Sequence, residues 1–315
     1  MRFNLKTSIE QFLIDQELKG NTKKTLKYYS SSLGYFSDYI GLDKIISEIK
    51  LEDLKRYLLM IKNRPKLQNH PFKPTQNIPI ASSSIQTYIR AVKAFLNWAN
   101  DEGYTPENIA KRFKLPRAVK KVVEILSDEE IEKLMQSMNT NTEMGLRNSC
   151  LCALMLDCGL RSSEALMLDY DNIHISQGII KVLGKGQKER IVPLGLYTKK
   201  LLLKYLNGYR PMSEIETKRL LIDNKLKPMS QNAVKQLFLR LRNRTKIDRL
   251  HPHILRHTFS TKYLMNGGDI FSLQQILGHT SLEMVRRYSH LASSYVVQNY
   301  KQYSPLDRLV SGRYK

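Results

Sequence analysis

Apolar residues recur at helical spacing through the first third of the chain. Ile9, Phe12, Leu13 and Leu18 lie on one stripe. A second stripe carries Leu26, Tyr29, Leu33, Phe36 and Ile40, with Asn21 and Thr22 as N-cap candidates before it and Gly41 as its stop. The pattern continues over 51–61. Periodicity is then lost over 65–79, where Pro65, Pro71, Pro74 and Pro79 predict a loop. One of Ser82, Ser83 and Ser84 caps a long helix through Ile85, Tyr88, Val92, Phe95 and Trp98 that ends near Gly103. Phe95 and Trp98 fall on its apolar stripe, so they belong to a core rather than to a surface that stacks on bases.

A second block begins at Ser127, with Glu130 three residues later, the signature of a capping box. The predicted helix over 131–138 follows, then an apolar helix over 146–158 that stops at Gly159. Residues 178–184 read as a short strand and 189–194 alternate as the returning strand, joined by the turn 185–188, a hairpin with a lysine at its tip. Further helices are expected around 230–244, 253–265, 270–277 and 281–288. Between the blocks lies a basic stretch with Lys111, Arg112, Lys114, Arg117, Lys120 and Lys121 around Pro116. It is either a solvated tether or a strap across phosphates. The expected organisation is a helical domain over 1–113, a linker over 114–125 and a second domain over 126–315. No internal repeat or low-complexity tract interrupts it.

Charge narrows the function. The chain has 51 Lys+Arg against 29 Asp+Glu, a formal net charge of +22. Such self-repulsion makes sense when a polyanion neutralises it, and nucleic acid is the leading partner. A membrane is the rival, but the most apolar stretch, 151–156, is far short of the roughly 20 residues a spanning helix needs. No strongly amphipathic Lys/Trp helix speaks for a membrane surface either. The N-terminal MRFNLKTSIEQF lacks the apolar region of a signal peptide, so the expected location is cytoplasmic. Cys150, Cys152 and Cys158 are interleaved with Leu, Ala and Met, and read as buried free thiols rather than a zinc site.

The sequence has no GxxxxGK[ST], no HExxH and no carboxylate cluster fit for two metals, so neither a metal nor a cofactor is expected. Four cationic features stand out instead. Arg161 follows the Gly159 stop, at a helix-to-helix junction where its fork can meet a phosphate. Lys185 sits at the hairpin tip between Gly184 and Gly186. His253 and Arg256 are three apart on one helix face. His279 follows Gly278, and Tyr288 comes nine residues after it. Taken singly, each has a bland reading: a surface arginine, a turn lysine, a helix-surface pair, a C-cap glycine beside an unrelated tyrosine. Together they suit metal-free chemistry at a phosphodiester. Two arginines can hold the nonbridging oxygens, a lysine can protonate the leaving oxygen and a histidine can accept a proton. A tyrosine, of free pKa about 10, becomes a usable nucleophile when cations stabilise its phenolate.

The segments GLRSSEALML, VLGKGQKERIVPL, HPHILRHTFSTKYL and LGHTSLEMVRRYSHL resemble, in order, those of tyrosine recombinases of the phage-integrase and Xer superfamily. Arg161 and Lys185 stand 24 residues apart, as in Xer-type members. The likeness is strong over 126–300 and loose over 6–113. It implies a mainly α fold with a small β-sheet: an all-helical, SAM-like core-binding domain followed by an α+β catalytic domain. It implies that Arg161 and Arg256 clamp the scissile phosphate, that Lys185 is the general acid and that His253 is the base. His279 would bond the phosphate, and Tyr288 would attack to give a 3′-phosphotyrosyl enzyme. Glu164 would orient the first arginine. Tyr295, Tyr300 and Tyr303 are poorer nucleophiles because none stands nine residues after LGH.

The implied partners are double-stranded DNA with specific core sites and three further copies of the chain, a homotetramer on two duplexes. An accessory directionality factor is an optional addition. Residues 289–315 are long enough to pack on a neighbouring copy. The insertion at 65–79 and the tail after Tyr288 depart from the compact Xer pattern and favour an integrase or transposase of a mobile element. Xer-type dimer resolution is the alternative. A type IB topoisomerase shares the chemistry, and a noncatalytic DNA-binding protein would have lost one of the six site residues, all of which are present. No arm-binding domain precedes the helical block, so a simple recombinase is expected.

Overall fold

The computed structural model describes residues 3–66, 68, 74–115, 124–184, 189–210 and 217–278. The chain divides into two units, Met1–Lys121 and Val122–Lys315.

The first unit is helical. α1 (Leu5–Leu18) is capped by Asn4, whose side chain accepts from the Thr7 amide, and α2 (Lys23–Ile40) by Thr22. α3 (Leu51–Asn63) follows. Its core is aromatic and aliphatic: Leu5, Phe12, Leu33, Phe36, Leu54, Tyr57, Ile89 and Phe95 are all buried. Phe12 meets Tyr29, Phe95 and Trp98 edge-on, the arrangement ring quadrupoles favour. Trp98 and Phe95 are core residues, as their stripe predicts.

Three details differ from the sequence reading. Residues 65–79 are not simply a loop: β1 (Pro65–Lys66) pairs antiparallel with β2 (Gln76–Pro79), Pro65 opposite Pro79. A two-stranded ribbon has only edges, where a proline's missing N–H can face solvent, and its exposed residues need no periodicity. α4 (Ser82–Asp101) starts after Ala81, which makes no side-chain cap; the three serines lie inside its first turn. Lys111 and Arg112 are not linker but the last turn of α5 (Ile109–Arg112), where cations complement the helix dipole. Arg117, Lys120 and Lys121 lie outside the described residues.

In the second unit, α6 (Asp128–Gln136) opens on the expected capping box. The Ser127 hydroxyl accepts from the Glu130 amide, and Glu130 accepts from the Ser127 amide. α7 (Glu143–Leu156) is buried from Leu146 to Met155 and forms the centre of the core, packed by the helices over 196–208 and 252–265. Cys150, Cys152 and Cys158 are free and buried, and burial pushes the thiols of Cys150 and Cys152 up to about 12. They stay protonated and unreactive at neutral pH.

A short helix, α8 (Ser162–Leu166), leads into a three-stranded antiparallel sheet of β3 (Ile173–His174), β4 (Ile179–Leu183) and β5 (Glu189–Pro193) in that order. Ile180 stands opposite Val192 and Val182 opposite Arg190. Then come α9 (Leu196–Gly208), α10 (Gln231–Thr245), α11 (Pro252–Met265) and α12 (Ile270–Leu277). The sequence reading did not anticipate α8, β3 or α9. The first two are too short to show a period, and α9 starts on Gly195 with no side-chain cap to announce it. The helix expected over 281–288 lies outside the described residues.

Candidate active site

Three elements of the second unit, α8, β5 and α11, bring cations to one carboxylate. α7 ends, and Gly159, in the left-handed region at φ 64°, turns the chain toward α8. A Cβ at Gly159 would sit 2.5 Å from the Phe259 ring, so both conformation and space require glycine. The turn places Arg161 at the N-cap of α8, and Glu164 one turn on. The Glu164 carboxylate accepts from the Arg161 amide at 2.8 Å and from Arg161 Nη1 at 2.7 Å. Glu164 is buried, while the Arg161 side chain keeps a third of its surface in solvent.

From α11, Arg256 reaches the same place. Its Nη1 donates to the Gly159 carbonyl at 2.6 Å and lies 3.6 Å from Glu164 Oε2, and its Nη2 donates to the Leu277 carbonyl at 2.8 Å. Pro252 at the first position of α11 presets the helical φ. His253 then shares a face with Arg256, one turn ahead of it. Partial burial of its ring, then the neighbouring His251, Arg256 and Arg161, hold the His253 pKa below the ordinary histidine value. The imidazole is therefore neutral at pH 7, with a ring nitrogen able to accept a proton.

Burial would raise the Glu164 pKa, but hydrogen bonds from Arg190, from the Arg161 amide and from the Arg161 side chain outweigh it and hold it below the usual carboxylate range. Glu164 is thus an anion that fixes the cations around it.

Arg190 is the site residue that sequence reasoning missed. It comes from β5, with its Nη1 and Nη2 on the two Glu164 oxygens at 3.1 and 2.8 Å. A signal was present. In 189–194, Arg190 alternates with Val192 and Leu194 on the inward face, while Ile191 is 59% exposed. A charged residue on a strand's buried face needs a buried partner.

The structure therefore brings Arg161 and Arg256 together on Glu164, with His253 near enough to both guanidiniums to feel their charge. Lys185, His279 and Tyr288 lie outside the described residues. Lys185 falls between β4 and β5 in the sequence, and His279 follows Gly278, the left-handed C-cap of α12. Among the described residues no group of His, Cys, Asp or Glu could hold a metal ion. None of their helices is long and apolar enough to cross a membrane.

Residues 124–294 match the phage integrase family, and residues 4–115 match the phage integrase SAM-like domain. The chain belongs to the phage integrase family. It is a tyrosine recombinase, an enzyme of site-specific DNA breakage and rejoining, built as a SAM-like helical domain followed by the catalytic domain. The chain is 29% identical over 305 residues to the tyrosine recombinase XerD of Staphylococcus aureus, covering 96% of this chain and 99% of that one. It is 26% identical over 294 residues to XerD of Listeria monocytogenes, 91% of this chain and 94% of that one. The same fold is found in the Tn1549 transposon integrase with circular-intermediate DNA (TM-score 0.73, 17% identity, 96% and 99% coverage). It is found also in the XerH recombinase on its difH substrate after cleavage (TM-score 0.71, 20% identity, 94% and 84% coverage). A lambda integrase tetramer on a Holliday junction matches at TM-score 0.68 and 17% identity, with 89% and 78% coverage.

Proposed function

We propose that this recombinase attacks the scissile phosphate with the Tyr288 hydroxyl, held by Arg161 and Arg256 and assisted by His253, Lys185 and His279. The observation that supports the reading best is the Arg161–Glu164–Arg256 cluster. One buried carboxylate aligns two guanidiniums beforehand, so little reorganisation is left for the moment when charge builds on the phosphorus oxygens. Neutral His253 takes the tyrosine proton. The Tyr288 oxygen bonds to phosphorus as the 5′ oxygen leaves with a proton from Lys185, giving a 3′-phosphotyrosine and a 5′ hydroxyl. A second 5′ hydroxyl reverses the step and seals a new junction, so no ATP is consumed.

The test removes the acid. Lys185→Ala should slow cleavage of an ordinary site and regain rate on a site carrying a 5′-bridging phosphorothiolate, whose sulfur leaves without a proton. Equal slowness on both substrates would show that Lys185 is not the acid. The pH profile tests the base. Single-turnover cleavage should be level between pH 7 and 8 and fall as pH drops through a midpoint below about 6.5, the free histidine value. His253 has a lowered pKa, so its useful neutral form is lost only on the acid side. A midpoint above 7 would count against His253 as the base.

The working assembly in this reading is a homotetramer on two duplexes. Supporting it, a groove of about 1050 Å³ runs along α6, α7 and α11, lined by Ile131, Met135, Leu156, Phe259, Tyr263 and Ile276 among others. Its occupant would be the segment 289–315 of a neighbouring copy. The biological role we favour is integration or transposition of a mobile element, in the cytoplasm, with an accessory directionality factor as an optional partner. The insertion at 65–79 supports it. Near-full-length similarity to XerD relatives favours a second reading, Xer-type dimer resolution. Sequencing the junctions made on genomic DNA separates the two: a mobile-element end, or one chromosomal site.

A further inference from the structure

We infer that Arg190 is a positioning residue of the recombination reaction: its guanidinium sets both the Glu164 carboxylate and the last turn of α12, the two supports on which Arg161 and Arg256 are aligned. The inference rests on the phosphate clamp proposed above.

Each nitrogen of the guanidinium has an acceptor. Nη1 and Nη2 take the two Glu164 oxygens, and Nε donates to the Ile276 carbonyl at 2.8 Å. The side chain is 11% exposed. A guanidinium committed in this way acts through its neighbours rather than on a substrate. The fork pairing locks both carboxylate oxygens in one plane, which a single hydrogen bond does not. Arg161 Nη1 leans on one of those oxygens and Arg256 Nη1 lies near the other. Rotation of the carboxylate would therefore displace both arginines.

The second support is the helix end. Ile276 O is held by Arg190 and Leu277 O by Arg256, so successive carbonyls at the negative pole of α12 are each gripped by an arginine. Gly278 then turns at φ 63°, and a Cβ there would lie 3.0 Å from Arg190 Cδ. The aliphatic stem of Arg190 thus packs beneath the turn from which the chain continues to His279. One side chain of β5 ties together α8, the site arginines and the end of α12. Lysine, with one point-like ammonium, cannot reproduce the paired fork on Glu164 and reach the Ile276 carbonyl as well.

The experiment uses the full chain. Arg190→Ala and Arg190→Lys are compared with wild type for DNA affinity, thermal melting and single-turnover cleavage of a nicked suicide site at saturating protein. DNA affinity should be unchanged. Cleavage should fall about 10²-fold for Arg190→Ala and about tenfold for Arg190→Lys, because small misplacements of catalytic groups carry costs of that order. The 5′-phosphorothiolate site should rescue neither, since the defect is not in the acid. Wild-type cleavage by Arg190→Lys would overturn the inference, showing that charge alone suffices. Rescue by the phosphorothiolate would also overturn it, in favour of action through Lys185. If Arg190→Ala melts early, the lysine variant decides, together with a cycle against Glu164→Gln. Less-than-additive losses in cleavage support action through Glu164, and additive losses overturn it. Failure of the underlying clamp looks different: Arg161→Ala would then cleave like wild type.

Discussion

Tyr288→Phe is expected to abolish the covalent protein–DNA adduct while leaving DNA affinity unchanged. The substitution deletes one hydroxyl and no positive charge, and affinity for DNA comes chiefly from cations on phosphates. Without the hydroxyl no oxygen is available to bond to phosphorus, so the loss should be complete rather than graded. A suicide site with a nick next to the scissile position traps the adduct, because the short cleaved strand diffuses away before it can rejoin. A gel of wild type and variant on that site reads the result directly. An adduct at wild-type level would move the nucleophile to Tyr295, Tyr300 or Tyr303. Adduct formation in EDTA by the wild type is the companion expectation of a clamp made of arginines.

The second large effect is at the arginines. Arg161→Ala and Arg256→Ala should each slow adduct formation by at least about 10²-fold, the typical cost of losing one preorganised charge-stabilising donor. The two should differ in stability. Arg161 is partly exposed, and when its side chain is lost Glu164 keeps its bonds from Arg190 and from the residue-161 amide. Arg256 is buried, and truncating it strips a donor from the Gly159 and Leu277 carbonyls. Each buried polar group left unsatisfied costs roughly 1–3 kcal/mol, so Arg256→Ala should melt earlier than Arg161→Ala. Arg256→Lys, which keeps a donor and the charge, should restore most of the melting temperature and little of the rate. Equal melting of the two alanine variants would contradict the buried bonding of Arg256. Cleavage at wild-type rate by either would remove that residue from the clamp.

Much of this was legible along the chain, because the relevant signals are local. Helical spacing of Leu33 and Phe36, or of Phe95 and Trp98, reports which face is buried, and those residues are buried. The capping box of Ser127 and Glu130 depends on neighbours three residues apart, and it forms. The Gly159 stop and the Gly278 C-cap need a left-handed backbone, which glycine supplies without strain. Elements were missed where the local signal is weak. α9 has no side-chain cap, α8 and β3 are too short for a period, and β2 of the proline-bearing ribbon is exposed along its length.

The sequence by itself determined the class of chemistry, and it supplied the proposal for the residues that carry it. A net charge of +22, ordered motifs and the spacing of Arg161, Lys185, His253, Arg256, His279 and Tyr288 need no coordinates to be read. Only the tertiary structure decided how those parts are held. Gly159, Glu164, Arg190, Arg256 and Leu277 are up to 118 residues apart in the chain, yet they share one set of hydrogen bonds. No short-range pattern encodes such pairings. A buried carboxylate is stable only when cations from distant elements surround it, and which cations arrive depends on how α7, α8, β5, α11 and α12 pack. The role of Glu164 as an anion, the neutral state of His253 and the place of Arg190 all follow from that packing.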